Sequence, residues 1–136
     1  MNRKMNHEKN FEMREIKFRA KHGKEWVYGD LHLLSKMPHI HTDPFTLNSI
    51  NIETIGQYTG LRDKNGKEIY EGDIIRSFDS DGDAILHYIV WEEVCFVALY
   101  KGRCFRSKCS LRQDWLDEFD KEVIGNIHDN PELLKK

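Results

Sequence analysis

Thr54-Ile55-Gly56-Gln57-Tyr58-Thr59-Gly60-Leu61-Arg62-Asp63-Lys64-Asn65-Gly66-Lys67-Glu68-Ile69-Tyr70-Glu71-Gly72-Asp73-Ile74-Ile75-Arg76 is the stretch that decides the fold. Two runs rich in Ile, Tyr and Thr flank a polar segment, and such residues fit a pleated, half-buried surface. Asn65-Gly66 between them is the preferred pair for a type I′ turn, whose two central residues need positive φ. The stretch predicts a hairpin with its tip at Asn65-Gly66, joining strands that hold Tyr58 and Ile69. Gly72-Asp73 lets the chain bend before Ile74-Ile75 enters the core.

Upstream, Glu15-Ile16-Lys17-Phe18-Arg19-Ala20 alternates charged and apolar residues, which puts Ile16, Phe18 and Ala20 on one face of a strand. A turn at Lys21 to Lys24 sends the chain back through Trp26 to Leu34, with Gly29 as a bulge or close-approach site. Residues 35–52, punctuated by Pro38 and Pro44, read as an irregular connection with one short strand near Ser49–Ile52. Residues 1–12 lack periodicity and read as a disordered or extended terminus ahead of one β domain spanning 13–136.

Downstream, Asp79-Ser80-Asp81-Gly82-Asp83 closes a second hairpin, Ala84 to Trp91 is a strand, and Val94 to Tyr100 is apolar enough for a strand buried on both faces. Asp114 to Phe119 allows one helical turn, Glu122 to Ile127 a last strand. Asn130-Pro131-Glu132-Leu133-Leu134 predicts a short terminal helix with Asn130 as N-cap. The expected fold is mostly β, an antiparallel barrel-like small domain with a short C-terminal helix.

A chain of 136 residues with 39% hydrophobic residues can bury one core. No run approaches the ~18 apolar residues that span a bilayer, and no apolar segment follows the basic first residues, so neither a membrane span nor a secretory signal is expected. Cys95, Cys104 and Cys109 are odd in number and lack disulfide-framework spacing, which suits reduced thiols in a cytoplasm. The net charge of -2 is unevenly spread: residues 1–24 carry eight Lys/Arg against three acids, and residues 114–136 seven acids against three Lys. Opposite charge at the two ends offers complementary surfaces between subunits.

Four blocks are similar to the YopX family of phage and prophage proteins: Met13 to Ala20, Ile55 to Ile74, Val90-Trp91, and Glu122 to Ile127 with Asn130 to Leu134. The resemblance implies a mostly β fold, a phage or prophage origin in a bacterial host's cytoplasm, and homo-oligomers, with a hexamer as one form. It supplies no catalytic residues. Met13 matches the start of the first block, which sets residues 1–12 apart as an extension or alternative start.

Weighed for chemistry, Asp79, Asp81, Asp83 and Gly82 fail the calcium-loop register, which needs Gly at position six and Glu at twelve. His39 and His41 share a strand face, but with Cys104 and Cys109 they make only marginal zinc pairs. No metal and no cofactor is assigned. Cys95 lies in an apolar run, where burial makes a thiol inert, and no nucleophile–base pairing is evident, so no enzyme is expected. Small barrels bind single strands through aromatics interleaved with basic residues. Tyr58, Arg62, Tyr70 and Arg76 lie close in sequence, and Arg103, Arg106, Lys108 and Arg112 form a basic stretch. With Asp73 at the bend of the same block, Tyr58, Arg62, Tyr70 and Arg106 are the candidate binding residues. The acidic balance weighs against nucleic acid. A non-catalytic protein-interaction or assembly module, binding itself or a host or phage protein, is expected. A nucleic-acid-binding barrel, and then an enzyme with an unrecognised site, are the alternatives. Trp115, Leu116 and Phe119 are candidate association anchors.

Overall fold

The computed structural model describes residues 15–34, 36–92, 95–101, 106–118 and 120–135. Its strands are β1 (Phe18–His22), β2 (Glu25–Leu34), β3 (Met37–Asp43), β4 (Thr46–Ser49), β5 (Asn51–Arg62), β6 (Glu68–Tyr70), β7 (Asp73–Phe78), β8 (Ala84–Glu92), β9 (Cys95–Lys101), β10 (Arg106–Ser110) and β11 (Glu122–Asn126). A single helical turn, α1 (Gln113–Leu116), precedes β11, and a 3₁₀ turn (Pro131–Leu134) follows it. Every pairing among the described strands is antiparallel, and the strands form two sheets, β4-β3-β2-β1-β5-β6 and β10-β9-β8-β7-β11. No described helix is long and apolar enough to cross a membrane.

The first sheet has to curl. β4 pairs with β3 and β5 pairs with β1, yet only Ile50 separates β4 from β5. In a flat sheet β4 and β5 would stand four interstrand steps apart, about 19 Å. Two residues span at most about 7 Å, so the flanks must fold toward one another. Curling gives the sheet an inner face, which explains why Ala20 on β1 and Ile40 on β3 are fully buried. Gly29 permits the bend: at φ +153° its backbone passes so close to β3 that a Cβ would lie 1.9 Å from the His41 carbonyl oxygen. The ladder does not close into a barrel among the described residues. The antiparallel, mostly β architecture agrees with the sequence.

The larger core joins the second sheet to the β5–β6 end of the first, with Ile69, Ile75, Ile89, Phe96, Ala98 and Leu116 in one cluster and Leu61, Leu111, Trp115 and Val123 packed around it. Phe96 to Leu99 are all buried, as a strand covered on both faces requires.

Several expectations change. Residues 37–49, expected to be mostly irregular, form β3 and β4, with Pro38 at a point where β3 has no β4 neighbour. Cys95 is exposed at the start of β9 and is not buried. Leu116 is buried within the core and Trp115 packs against it, so neither is a free anchor, and Phe119 lies outside the described residues. The hairpin at Asn65-Gly66 is present, but not as type I′. Gly66 N–H donates to Asp63 O and Asp63 N–H to Lys67 O, both at 2.9 Å, and positive φ falls on Gly66 (+80°) and not on Asn65. This is a type I turn closed by a left-handed glycine. Asp79 to Asp83 repeats it, with Gly82 at +84°. Asn130 stands at the N-cap of the last turn as expected, but its side chain makes no capping bond; its Oδ1 accepts the Asn126 N–H at 3.2 Å instead.

Candidate functional site

The residues singled out by sequence converge on the seam between the two sheets. Tyr58 on β5 stands opposite Tyr70 on β6, their ring centres 5.4 Å apart, and Asp73 opens β7 one turn later. Asp73 Oδ2 accepts the Tyr70 N–H at 2.8 Å, so the bend at Gly72 is fixed by the carboxylate that follows it. Arg19 of β1 completes the group. Its Nη2 donates to Asp73 Oδ1 at 2.7 Å and to Glu71 O at 3.3 Å, and its guanidinium lies 4.5 Å from the Trp26 ring centre and 4.9 Å from that of Tyr70. Arg19 is 5% exposed and Asp73 1%. Burial pushes the Asp73 carboxyl up, against the Arg19 charge and the Tyr70 N–H, which favour the carboxylate.

Alternation predicts Arg19 on the solvent side of β1. It is buried because that side is covered by the bend at 71–73 and the turn at 128–129. The turn is held by Asp129, which accepts Trp26 Nε1–H at 2.8 Å and binds Lys21 Nζ. His128 lies against Trp26, ring centres 5.8 Å apart. Asn126 Oδ1 shapes the turn by accepting the N–H groups of His128 and Asp129.

Toward the rim, Lys17 donates to Glu68 at 2.6 Å and Tyr70 Oη–H to Glu68 at 3.1 Å. Burial opposes ionisation of Glu68, but the bonds from Lys17 and Tyr70 outweigh it and hold the carboxyl below its usual range. Burial, then the Glu68 charge, keeps the Tyr70 hydroxyl protonated far above the ordinary phenol range. Arg62 is exposed, with Nη1 on Gly66 O at 3.0 Å. Gln113 of α1 meets the Arg62 backbone, donating to its O at 3.0 Å.

Four of the five candidate binding residues therefore belong to one neighbourhood, while Arg106 begins β10 opposite Lys101, its side chain outside the described set. Tyr58, Tyr70 and Asp73 are buried, and a buried ring cannot stack on a nucleic-acid base without leaving the core. The arrangement ties β1, β5, β6 and β7 together by charge-assisted bonds. Sequence reasoning missed Arg19, Trp26, Asp63 and Asp129. For Asp63 a signal existed: Asp three places before Gly recurs in both tight hairpins. Its Oδ1 accepts the N–H of Asn65 and Lys67 at 2.8 and 2.9 Å, and its Oδ2 that of Val123 at 2.8 Å, fastening the tip to β11.

A separate cleft of about 300 Å³ on the second sheet is lined by Phe78, Ile85, His87, Trp115 and Lys121, among others. Lys121 Nζ sits 4.4 Å from the Trp115 ring centre and donates to Glu118 O at 2.8 Å. No three or more His, Cys, Asp or Glu among the described residues form a group that could hold a metal as they stand. Of the marginal zinc pairs weighed and not assigned, His39 and His41 are both on β3, Cys104 is outside the described residues, and so is the Cys109 side chain.

The family model for YopX protein matches residues 3–135. Among solved structures, the crystal structure of protein EF1440 from Enterococcus faecalis is similar at 31% identity and a TM-score of 0.60, over 90% of this chain and 100% of that one. A comparison with curated proteins finds no match.

Proposed function

Because the chain belongs to the YopX family, we propose that it works as a non-catalytic interaction and assembly module, phage- or prophage-encoded, in the cytoplasm of a bacterial host. One observation carries this: five of the nine large apolar side chains left exposed among the described residues fall in one stretch of the chain. Leu33, Met37, Phe45, Leu47 and Ile52 are all exposed between the end of β2 and the start of β5, Phe45 at 96%. Exposed apolar surface of this kind marks contact sites. In this proposal the curled sheet is the barrel-like body, the β2–β3 and β3–β4 hairpins its docking rim, and the partner a second copy of the chain. The polar groups that catalysis would need at the seam are engaged in structural bonds instead, and the buried Tyr58 and Tyr70 speak against a base-stacking platform.

Light scattering across micromolar concentrations tests it. Mass should rise above the 16.2 kDa monomer, and Phe45→Ser with Leu33→Ser should return it to monomer without lowering the unfolding midpoint. A monomer at every concentration would end the self-association claim.

A further inference from the structure

β2 and β3 place four residues of metal-ligating types, one Asp and three His, on one face of the curled sheet. Cross-strand partners share a face and side chains alternate along a strand. Asp30 is opposite His41 and His32 opposite His39, so these four form a two-by-two array. The rings of His32 and His41, diagonal neighbours in it, already lie with centres 4.3 Å apart. The third imidazole is oriented by a backbone carbonyl. His39 Nδ1 is 3.0 Å from the Met37 carbonyl oxygen, which can only accept, so Nδ1 is the donor and Nε2 is the nitrogen left to face a metal. Orientation of a ligand histidine by a backbone carbonyl is the usual outer support of a metal site.

We propose that His32 and His41 seat a divalent transition-metal ion of the zinc, copper or nickel class, with His39 or Asp30 and water completing its shell. Imidazole nitrogen selects these metals over magnesium or calcium. A tetrahedral ion bound at about 2.0–2.1 Å needs its nitrogens about 3.3 Å apart, which a side-chain rotation provides for rings this close. Among the described residues no three ligands converge as the side chains stand, so the ion would have to gather them from the shared face. The array shares the β2–β3 and β3–β4 hairpins with the docking rim, His41 standing opposite Leu47, but the proposal rests on the imidazoles and its test reads metal binding, not self-association.

Zinc chloride titrated calorimetrically into the chelator-stripped full chain at neutral pH is the test. Saturable binding of one ion with a micromolar dissociation constant is expected. His32→Ala and His41→Ala should each weaken it by at least the roughly 10-fold that loss of even an outer partner costs. His22→Ala, on β1 and outside the array, should leave it unchanged. His32→Gln and His41→Gln, with unfolding midpoints recorded, guard against loss through misfolding. No saturation by about 1 mM zinc, or binding that survives both alanine substitutions, would overturn the site.

Discussion

Asp63 and Asp79 stand first in the same five-residue hairpin, and each carboxylate accepts the N–H groups two and four places on. Asp63 is buried and also takes the Val123 N–H, whereas Asp79 is exposed. A donor stripped of its partner is costly only where water cannot replace it. Asp63→Ala should therefore destabilise by about 3 kcal/mol and Asp79→Ala by less than about 1 kcal/mol, read as the shift in urea midpoint at constant slope. Arg19 and Asp73 pose a related question. Asp73→Ala leaves a guanidinium buried without its counter-charge and should cost about 3–5 kcal/mol. Arg19→Met with Asp73→Leu removes both charges and should cost distinctly less, because no uncompensated ion remains. If the double variant is as unstable as the single one, the pair's worth lies in packing against Trp26 and Tyr70.

Among the elements, the terminal turn after β11 is held to the β1–β2 hairpin largely by Asp129. Its bonds from Lys21, then Trp26, lower the carboxyl to about 2. A carboxylate whose pKa falls on folding contributes stability above its unfolded value, near 4, and loses it as pH drops toward 2. Unfolding midpoints of the native chain and Asp129→Asn should differ at pH 5 and converge near pH 2. The gap should be below about 1 kcal/mol, because the carboxylate is partly solvated. Elements with an apolar period or a turn glycine were legible: β1, β2, β5 through the hairpin, β7, β8, β9 and β11 all fall where patterning puts them. β3 and β4 were not, because His39, His41, Pro38 and Asn48 carry no β propensity, and pairing on both sides of β3 supplies what propensity lacks. The candidate site was legible as a sequence block but not as a place. Alternation assigns one face to solvent, and nothing local in β1 announces that residues fifty positions on will cover Arg19.

For the molecule as a whole, acid should act through His87. Burial, then the Lys121 charge, lowers this imidazole to about 4, and its ring lies 5.0 Å from that of Trp115. The unfolded chain takes up this proton near pH 6.5 and the folded chain only near 4. Stability is thus whole above about 6.5 and lost progressively between there and 4, by at most about 3 kcal/mol before allowance for the solvent reaching the ring. His87→Phe should flatten that part of the pH–stability curve; an unchanged slope would place the acid sensitivity elsewhere. The direct passage of β4 into β5 has its own consequence, in the order of events as the chain folds. Hairpins β1–β2, β2–β3 and β3–β4 each close over a few residues, and short closures come early. β5 reaches β1 only across all of them, and Ile50 lets it do so only once the sheet has curled. Docking of β5 is then the late, rate-setting step, and the bulk of the cooperativity should enter with it: a chain ending before Asn51 would hold three hairpins and no domain.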